Sequence, residues 1–126
     1  MARATSISQA EAAVMEVLWK RNPAGTEEIV ASLASLRQWH ESTIKTLLNR
    51  LLRKGAIRAT REGRRNLYTP ILKREDWLGG ESAGLLDRLF GGRVAPFVAH
   101  FGRHRKLTRR DIEELKRLIG EFEDER

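Results

Sequence analysis

The residues of this chain best suited to a chemical role are cations concentrated between Lys45 and Arg65. Eight lysines and arginines lie in that span, and Glu62 is its one carboxylate. So many like charges repel one another unless a polyanion lies close by, and they release counterions when they contact phosphates. The spacing therefore predicts a surface that binds a nucleic acid.

The distribution of charge along the whole chain supports the same conclusion. The formal net charge is +7, but residues 1–74 hold 14 Lys and Arg against 6 Asp and Glu, whereas residues 75–126 hold 10 against 11. The excess positive charge thus lies in the first part of the chain. We expect the nucleic-acid surface there.

The sequence contains no arrangement typical of an enzyme. No nucleophile has a plausible base, no carboxylates are paired in an apolar setting, and no glycine-rich loop is suited to a phosphate. The absence of cysteine excludes disulfides and thiolate metal sites. His100 and His104 are four residues apart, but two imidazoles without a third ligand make a weak site. We therefore expect no enzymatic activity, no metal and no cofactor.

Length and hydropathy place the protein outside the membrane. Its 126 residues suffice for one ordinary domain, or for a small domain with an appendage. No apolar run approaches the roughly 20 residues that cross a bilayer, and the N-terminus lacks the layout of a signal peptide. The sequence therefore predicts a cytoplasmic protein without direct membrane insertion.

The basic span begins in a predicted helix over residues 41–54. Apolar residues recur there at the spacing of one helical face, and Gly55 follows at a position that favours a left-handed backbone. These apolar residues are Ile44, Leu47, Leu48, Leu51 and Leu52. The opposite arc carries short polar side chains and long cations, so one face can pack while the other meets a partner.

Two shorter helices are expected before this one. Ser8 and Glu11 form a capping-box pattern that starts the first helix, and Pro23 disfavours its continuation. Thr26 is the expected N-cap of the second helix, which Glu27 and Glu28 favour by their charge.

A β-hairpin is expected after the third helix. The segments AIRAT and RNLYTP have strand-like composition, and Gly63 supplies the turn between them. Three helices followed by a small hairpin make a mainly α fold with a winged helix-turn-helix domain over residues 1–73. The helix over residues 41–54 is then the recognition helix.

In such a domain the recognition helix enters the major groove, and cations around it contact the DNA backbone. The residues expected to face base edges are Ser42, Thr43, Lys45, Thr46 and Asn49. The residues expected to contact the backbone or the minor groove are Arg50, Arg53, Lys54, Arg58, Arg61, Arg64 and Arg65.

Residues 74–126 differ in character and predict a helical dimerisation domain. A short helix is expected between Gly79-Gly80 and Gly91-Gly92, followed by an apolar segment and a last helix capped by Thr108 and Asp111. Three short helices cannot readily bury so many apolar side chains alone, so a second copy of the chain is the expected cover. The residues expected in this homodimer contact are Leu85, Leu86, Leu89, Phe90, Phe97, Val98, Phe101, Ile112, Leu115, Leu118, Ile119 and Phe122.

Three segments of the sequence resemble the penicillinase repressor family, which includes the BlaI, MecI and CopY repressors. ISQAEAAVMEVLWK resembles the family's opening helix, TIKTLLNRLLRKGAI its recognition helix and EGRRNLYTP its wing. The order and spacing match over essentially the whole chain, and the resemblance is closest to the BlaI and MecI branch. It implies a dimeric repressor that binds double-stranded DNA at palindromic operators containing TACA/TGTA elements.

The resemblance also implies roles for individual residues. Thr43, Lys45 and Thr46 match the positions at the front of the family's recognition helix that approach base edges. Arg50 matches a basic position that contacts the backbone, and Arg64 aligns with the wing arginine. Repression is then expected to follow from occlusion of the promoter.

The branches of this family differ in how repression is relieved. In the BlaI and MecI branch, a membrane-bound sensor protease triggers cleavage at an Asn-Phe bond in the dimerisation domain. The comparable bond here is His100-Phe101, which departs from that pattern. The CopY branch senses metal through cysteines, which this chain lacks. The resemblance to the BlaI and MecI branch implies a membrane-bound sensor protease as a partner and relief of repression by proteolysis in the C-terminal domain, with His100-Phe101 as the candidate bond.

A second hypothesis assigns the chain to a different class. The same basic face could dock an acidic protein, which would make the chain a winged-helix module for protein assembly. DNA is favoured because the cations lie on the third helix and the wing together. Trp19 and Trp39 could stack on single-stranded bases, but core packing is the expected role of both.

Overall fold

The computed structural model describes residues 6–126, which are mainly helical. The elements in chain order are α1 (Gln9–Lys20), β1 (Ala24–Gly25), α2 (Thr26–Arg37), α3 (Glu41–Lys54), β2 (Ile57–Glu62), β3 (Arg65–Pro70), α4 (Arg74–Phe90), α5 (Val94–Arg103) and α6 (Arg109–Asp124). Three helices followed by a β-hairpin are the elements of a winged helix-turn-helix. The predicted fold class is therefore confirmed.

Helices α1, α2 and α3 share one hydrophobic core because each turns an apolar stripe inward. Leu18, Ile29, Ile44 and Leu51 have no solvent-accessible surface. Full burial of each such side chain contributes about 1.5–3 kcal/mol, so these residues fix which face of α3 points outward. Helix α3 has the predicted bounds, and Gly55 ends it at φ +76°, a backbone conformation that costs little only for glycine.

The sheet has three antiparallel strands in the order β1-β3-β2. The hairpin of β2 and β3 was predicted, and it turns between Glu62 and Arg65, which face each other across the two strands. Strand β1 was not predicted. It is only two residues long, and it exists because Ala24 pairs with Tyr68 and Gly25 with Leu67.

The first turns of α1 and α2 are held by carboxylates of the chain. Ser8 Oγ accepts the Glu11 N–H at 3.0 Å and Glu11 Oε1 accepts the Ser8 N–H at 2.7 Å, which confirms the predicted capping box. The prediction for α2 is wrong by one position. Gly25, not Thr26, is the N-cap, and its N–H donates to Glu28 Oε1 at 3.1 Å.

Both tryptophans expected in the core pack against it. Trp19 and Trp39 are half-buried, and Trp19 Nε1 donates to the carbonyl of Leu72 at 2.8 Å. The ring of Trp77 lies 5.3 Å from that of Trp19. These contacts attach the start of α4 to the winged-helix core.

Helix α4 is longer than the sequence predicted. It runs through Gly79-Gly80, where a linker was expected, because a glycine in a helix costs only about 1 kcal/mol relative to alanine. Gly91-Gly92, with φ of +59° and +77°, ends it as predicted. Among the described residues, no helix is long and apolar enough to span a membrane.

The chain divides into two compact units inside α4. The first ends at Glu81 and the second comprises Ser82–Arg126. The domain boundary predicted between residues 73 and 74 stays a prediction: α4 begins at Arg74, but its first turns belong to the first unit. Helices α5 and α6 follow in the second unit, and Thr108 and Asp111 cap α6 reciprocally at 3.0 and 3.1 Å as predicted.

Candidate nucleic-acid interface

The outer face of α3 carries the residues predicted to read bases. All five are exposed, and they lie on the side of the helix opposite its buried leucines. They are Ser42, Thr43, Lys45, Thr46 and Asn49. The fold thus presents a row of hydrogen-bonding groups on a rigid helix, and their role in reading bases stays a prediction.

Two of these groups have partners within α3. Lys45 Nζ lies 2.9 Å from Glu41 Oε2, and Thr46 Oγ1 donates to the Ser42 carbonyl at 3.0 Å. The hydrogen bond to Glu41 and the charge of that carboxylate raise the pKa of Lys45 above its ordinary value. Because an exposed ion pair stabilises a protein little, Lys45 can exchange Glu41 for another partner at low cost.

Five of the predicted backbone contacts are exposed cations of α3 and the hairpin. They are Arg50, Arg53, Arg58, Arg61 and Arg64. Within residues 6–126 none of the five forms an ion pair. Their charge is therefore available to a polyanion.

Arg65 connects the hairpin to the start of α2. Its guanidinium pairs with Glu28 Oε1, the atom that also accepts the Gly25 N–H. A Cβ at position 25 would lie only 2.9 Å from Arg65 Nη2, so the guanidinium would have to shift to make room for it. The hydrogen bond from the Gly25 N–H lowers the pKa of Glu28. The hydrogen bond from Arg65 and the positive charge of Arg65 lower this pKa further, and together these effects outweigh the partial burial of the carboxyl, which raises it. This carboxylate orients the hairpin against the helices.

Helix α3 and the hairpin border a groove of about 440 Å³ that also reaches the start of α2. Four residues predicted to contact DNA line it together, namely Lys45, Asn49, Arg64 and Arg65. The other predicted contacts lie outside the groove. Its lining also includes Glu27, Glu41, Asn66 and Tyr68, which had been given no site role. Asn66 directly follows Arg64 and Arg65 in the sequence, and this position next to the wing arginines could have indicated that it lies at the same surface.

Lys54 has a different position from the other cations. Its Nζ lies 2.6 Å from Glu11 Oε1 and donates to the carbonyl of Ser6 at 3.1 Å. Glu11 is buried at 1 % exposure. Burial raises the pKa of this carboxyl, but the hydrogen bonds from Lys54 and Ser8 and the charge of Lys54 outweigh that effect, and the pKa is lowered. Contact of Lys54 with DNA stays a prediction, and its ammonium already has two partners in the chain.

The residues predicted to form the dimer lie in the second unit, and none of them is buried. In fact, no side chain of residues 82–126, all of which the structure describes, is buried. Leu89, Ile119 and Phe122 are more than half exposed, at 62, 55 and 55 %. Phe90, Phe97 and Phe101 contact one another edge to face at 5.4 and 4.9 Å and are half-buried.

His100 of α5 and His104, the C-cap residue of that helix, have neighbouring, tilted rings. Their ring centroids are 4.4 Å apart, and His104 Nδ1 lies 2.8 Å from the carbonyl of His100. No cluster of three or more potential metal ligands occurs in the part of the chain that the structure describes. The bond between His100 and Phe101 lies within α5.

Comparison with known proteins identifies the lineage of this fold. The sequence profile of the family described as penicillinase repressor matches residues 7–121. The penicillinase repressor of Bacillus licheniformis is 33% identical over 124 residues, 98% of this chain and 97% of that protein. The penicillinase repressor of Staphylococcus aureus is 28% identical over 116 residues, 92% of each chain.

Two solved structures each match 60% of the chain. The DNA binding domain of the repressor BlaI has a TM-score of 0.54 at 39% identity, and the match covers 60% of this chain and 93% of that domain. Bacillus licheniformis BlaI, solved as a monomer in complex with the blaP half-operator, has a TM-score of 0.53 at 39% identity, with the same coverage. The predicted family is confirmed: the chain belongs to the penicillinase repressor family.

Proposed function

We propose that this protein is a cytoplasmic, homodimeric DNA-binding repressor that occupies a palindromic operator and occludes the promoter. One observation carries the proposal. The chain presents an exposed polar face on α3 with arginines that form no ion pair among residues 6–126, and 60% of it matches, at 39% identity, a BlaI monomer solved in complex with a half-operator. A shift of a promoter-proximal palindromic duplex, but not of a scrambled one, on a native gel tests it.

In this proposal α3 lies in the major groove. Threonine hydroxyls and the Asn49 amide hydrogen-bond base edges, whereas the arginines contact phosphates and set the register of the protein on the duplex. Lys45 leaves Glu41 for a base or a phosphate on binding. Lys45 and Arg64 both line the groove between α3 and the hairpin, so Lys45 can reach a base edge while Arg64 contacts the backbone nearby.

The homodimer is supported by the exposed apolar side chains of residues 82–126. A unit without a single buried side chain gains little free energy by folding as a monomer. In a dimer with a two-fold axis, the same apolar patch of each subunit covers that of the other. Two subunits related in this way would read half-sites about one helical turn, or roughly 10 bp, apart.

Relief of repression by a membrane-bound sensor protease acting at His100-Phe101 is the last element of the proposal. It is supported by the family and by the position of this bond in the second unit. The bond lies within a hydrogen-bonded helix, so a protease must first unfold part of α5. Cleavage there would separate α6 from the rest of its unit.

Replacing Arg64 by Ala is expected to weaken binding to all duplexes alike. Arg64 is exposed at the hairpin turn, where its guanidinium can contact phosphates or the minor groove. Such contacts position the protein on the duplex but distinguish little between base sequences. The slope of log K against log salt should fall by about one unit. Titrations at several salt concentrations measure it, with R88A, on the exposed side of α4, as the control. An unchanged slope would place Arg64 outside the interface.

Replacing Lys45 by Ala, or Thr46 by Val, is expected to change base preference instead. These side chains face outward on α3, where each good contact to a base edge discriminates by about 1–3 kcal/mol. Binding to operator variants with single base changes should rank differently from the wild type, while binding to random duplex changes less. Equal losses on operator and random DNA would contradict the base-reading role of α3.

A further inference from the structure

A second groove lies between α1 and α2, with a volume of about 410 Å³. Its apolar lining includes Val17, Leu33 and Leu36, of which Leu33 is buried and Leu36 is 76 % exposed. A single exposed apolar side chain is unremarkable on a protein surface. Here it borders two other apolar residues at the junction of two helices. This groove and the groove beside α3 have no lining residue in common.

The rim of the α1–α2 groove is positive. Lys20, Arg21 and Arg37 line it, and among residues 6–126 none of these three forms an ion pair. Arg37 lies over the ring of Trp39 at 5.5 Å, which holds it in place without neutralising it. The groove's one carboxylate, Glu16, is paired with Arg74 Nε at 2.9 Å. The surface therefore combines an apolar lining with an excess of positive charge, although the charge of Arg21 also acts on Glu28.

We propose that the α1–α2 groove docks an acidic amphipathic helix of a partner protein. Two packed helices form a groove in which a third helix can lay its apolar side chains, with anchors spaced i, i+3, i+4 and i+7. Carboxylates flanking those anchors would meet Lys20, Arg21 and Arg37. A nucleic acid fits less well, because phosphates gain nothing from the exposed Leu36. Since the lining residues differ, the partner can bind while the α3 surface is occupied.

This inference goes beyond the proposed repressor function and does not depend on it. The α1–α2 groove is a site at which a partner protein could bind the chain and change the affinity of the α3 surface for its ligand. The attachment is local to the first unit, because all lining residues precede Glu81.

A designed peptide provides the probe. It has about 16 residues, enough for a helix on binding, with leucines on one face and glutamates elsewhere, and it carries a fluorophore. A control peptide of the same composition has its leucines scattered around the helix. Fluorescence anisotropy with the full chain should show binding of the first peptide only, and that binding should weaken as salt is raised. Equal binding of both peptides overturns the proposal.

Paired variants on α2 then locate the site. L36E should weaken peptide binding at least about tenfold, the loss expected for one buried anchor, whereas S35E adds the same charge at an exposed neighbour outside the groove and should leave it nearly unchanged. Equal effects of L36E and S35E overturn the proposal. Circular dichroism confirms that both variants are folded.

Two further measurements separate other occupants of the groove. Light scattering of L36E should match the wild type, and a change in mass would show that a second copy of the chain covers the groove instead. Vesicles of anionic phospholipid should not displace the peptide, and displacement would indicate a lipid surface. Operator binding is measured in parallel. If the wild-type chain does not bind the operator, the proposed function is contradicted, whereas the result with the peptide still stands.

Discussion

Replacing both Ile119 and Phe122 by Asp is expected to convert a dimer into a monomer and to weaken operator binding by about 100-fold or more. Both side chains are more than half exposed in a single chain, at 55 % each. Together with Ile112 and Leu115 they form one stripe along α6. Two carboxylates in the centre of an apolar contact would have to be desolvated without partners, which a homodimer cannot tolerate.

The loss of operator affinity follows from valency. A dimer that holds two half-sites gains from the high effective concentration of the second recognition helix, and a monomer loses that gain while each helix keeps its own contacts. Sedimentation velocity measures the oligomer, and fluorescence anisotropy measures binding to whole and half operators. The double variant should bind a half-operator as the wild type does.

A matched control lies on the opposite face of α6. R117D changes the net charge as much as the double variant does, and Arg117 is exposed and pairs only with Glu121 at 2.7 Å among the described residues. It should leave both mass and operator affinity close to wild type. A dimer that survives I119D/F122D would contradict the assignment of α6 to the subunit contact.

Replacing Glu11 by Ala is expected to destabilise the winged-helix unit by about 2–3 kcal/mol. The carboxylate accepts the Ser8 N–H at 2.7 Å, which caps α1, and it pairs with Lys54 at 2.6 Å, which attaches α1 to the end of α3. Both contacts disappear together. Urea denaturation measures the change, and E75A, an exposed carboxylate in the first turn of α4, should lie within about 0.5 kcal/mol of wild type.

The same carboxylate makes stability depend on pH. The pKa of Glu11 in the folded chain lies below its ordinary value of 4.5. A lowered folded pKa means that the carboxylate stabilises the fold fully above pH 4.5 and that this contribution is lost as pH falls through the folded pKa. The difference in stability between wild type and E11Q should therefore shrink below pH 4.5. A difference that stays constant over that range would mean that the charge of Glu11 contributes nothing.

Much of the first unit was predictable because its signals are local. The periodic leucines of α3 and the following Gly55 gave its bounds, and the Ser8 capping box gave the start of α1. Strand β1 could not be predicted, since two residues carry no periodicity and become a strand only by pairing with β3. Gly79-Gly80 was misread because a glycine pair inside a long helix looks like a linker in sequence.

The composition of the candidate interface was predictable, but the pairing within it was not. A basic span predicts which residues are cationic, whereas the partner of each cation depends on chain segments far away in sequence. Lys54 is held by Glu11 and Arg65 by Glu28, contacts that span 43 and 37 positions. Five other cations of α3 and the hairpin that were expected to contact DNA form no ion pair with any of residues 6–126.

The separation of α3 into a buried and an exposed face has a consequence for how this protein can change. Leu47, Leu48 and Leu51 carry the packing, and the side chains at positions 42, 43, 46 and 49 contribute almost none of it. Mutations at those four positions can therefore accumulate with little penalty to folding. Under the proposed function, a lineage with this helix is free to acquire new operators by drift at its surface, and a designer could retarget it without rebuilding the interior.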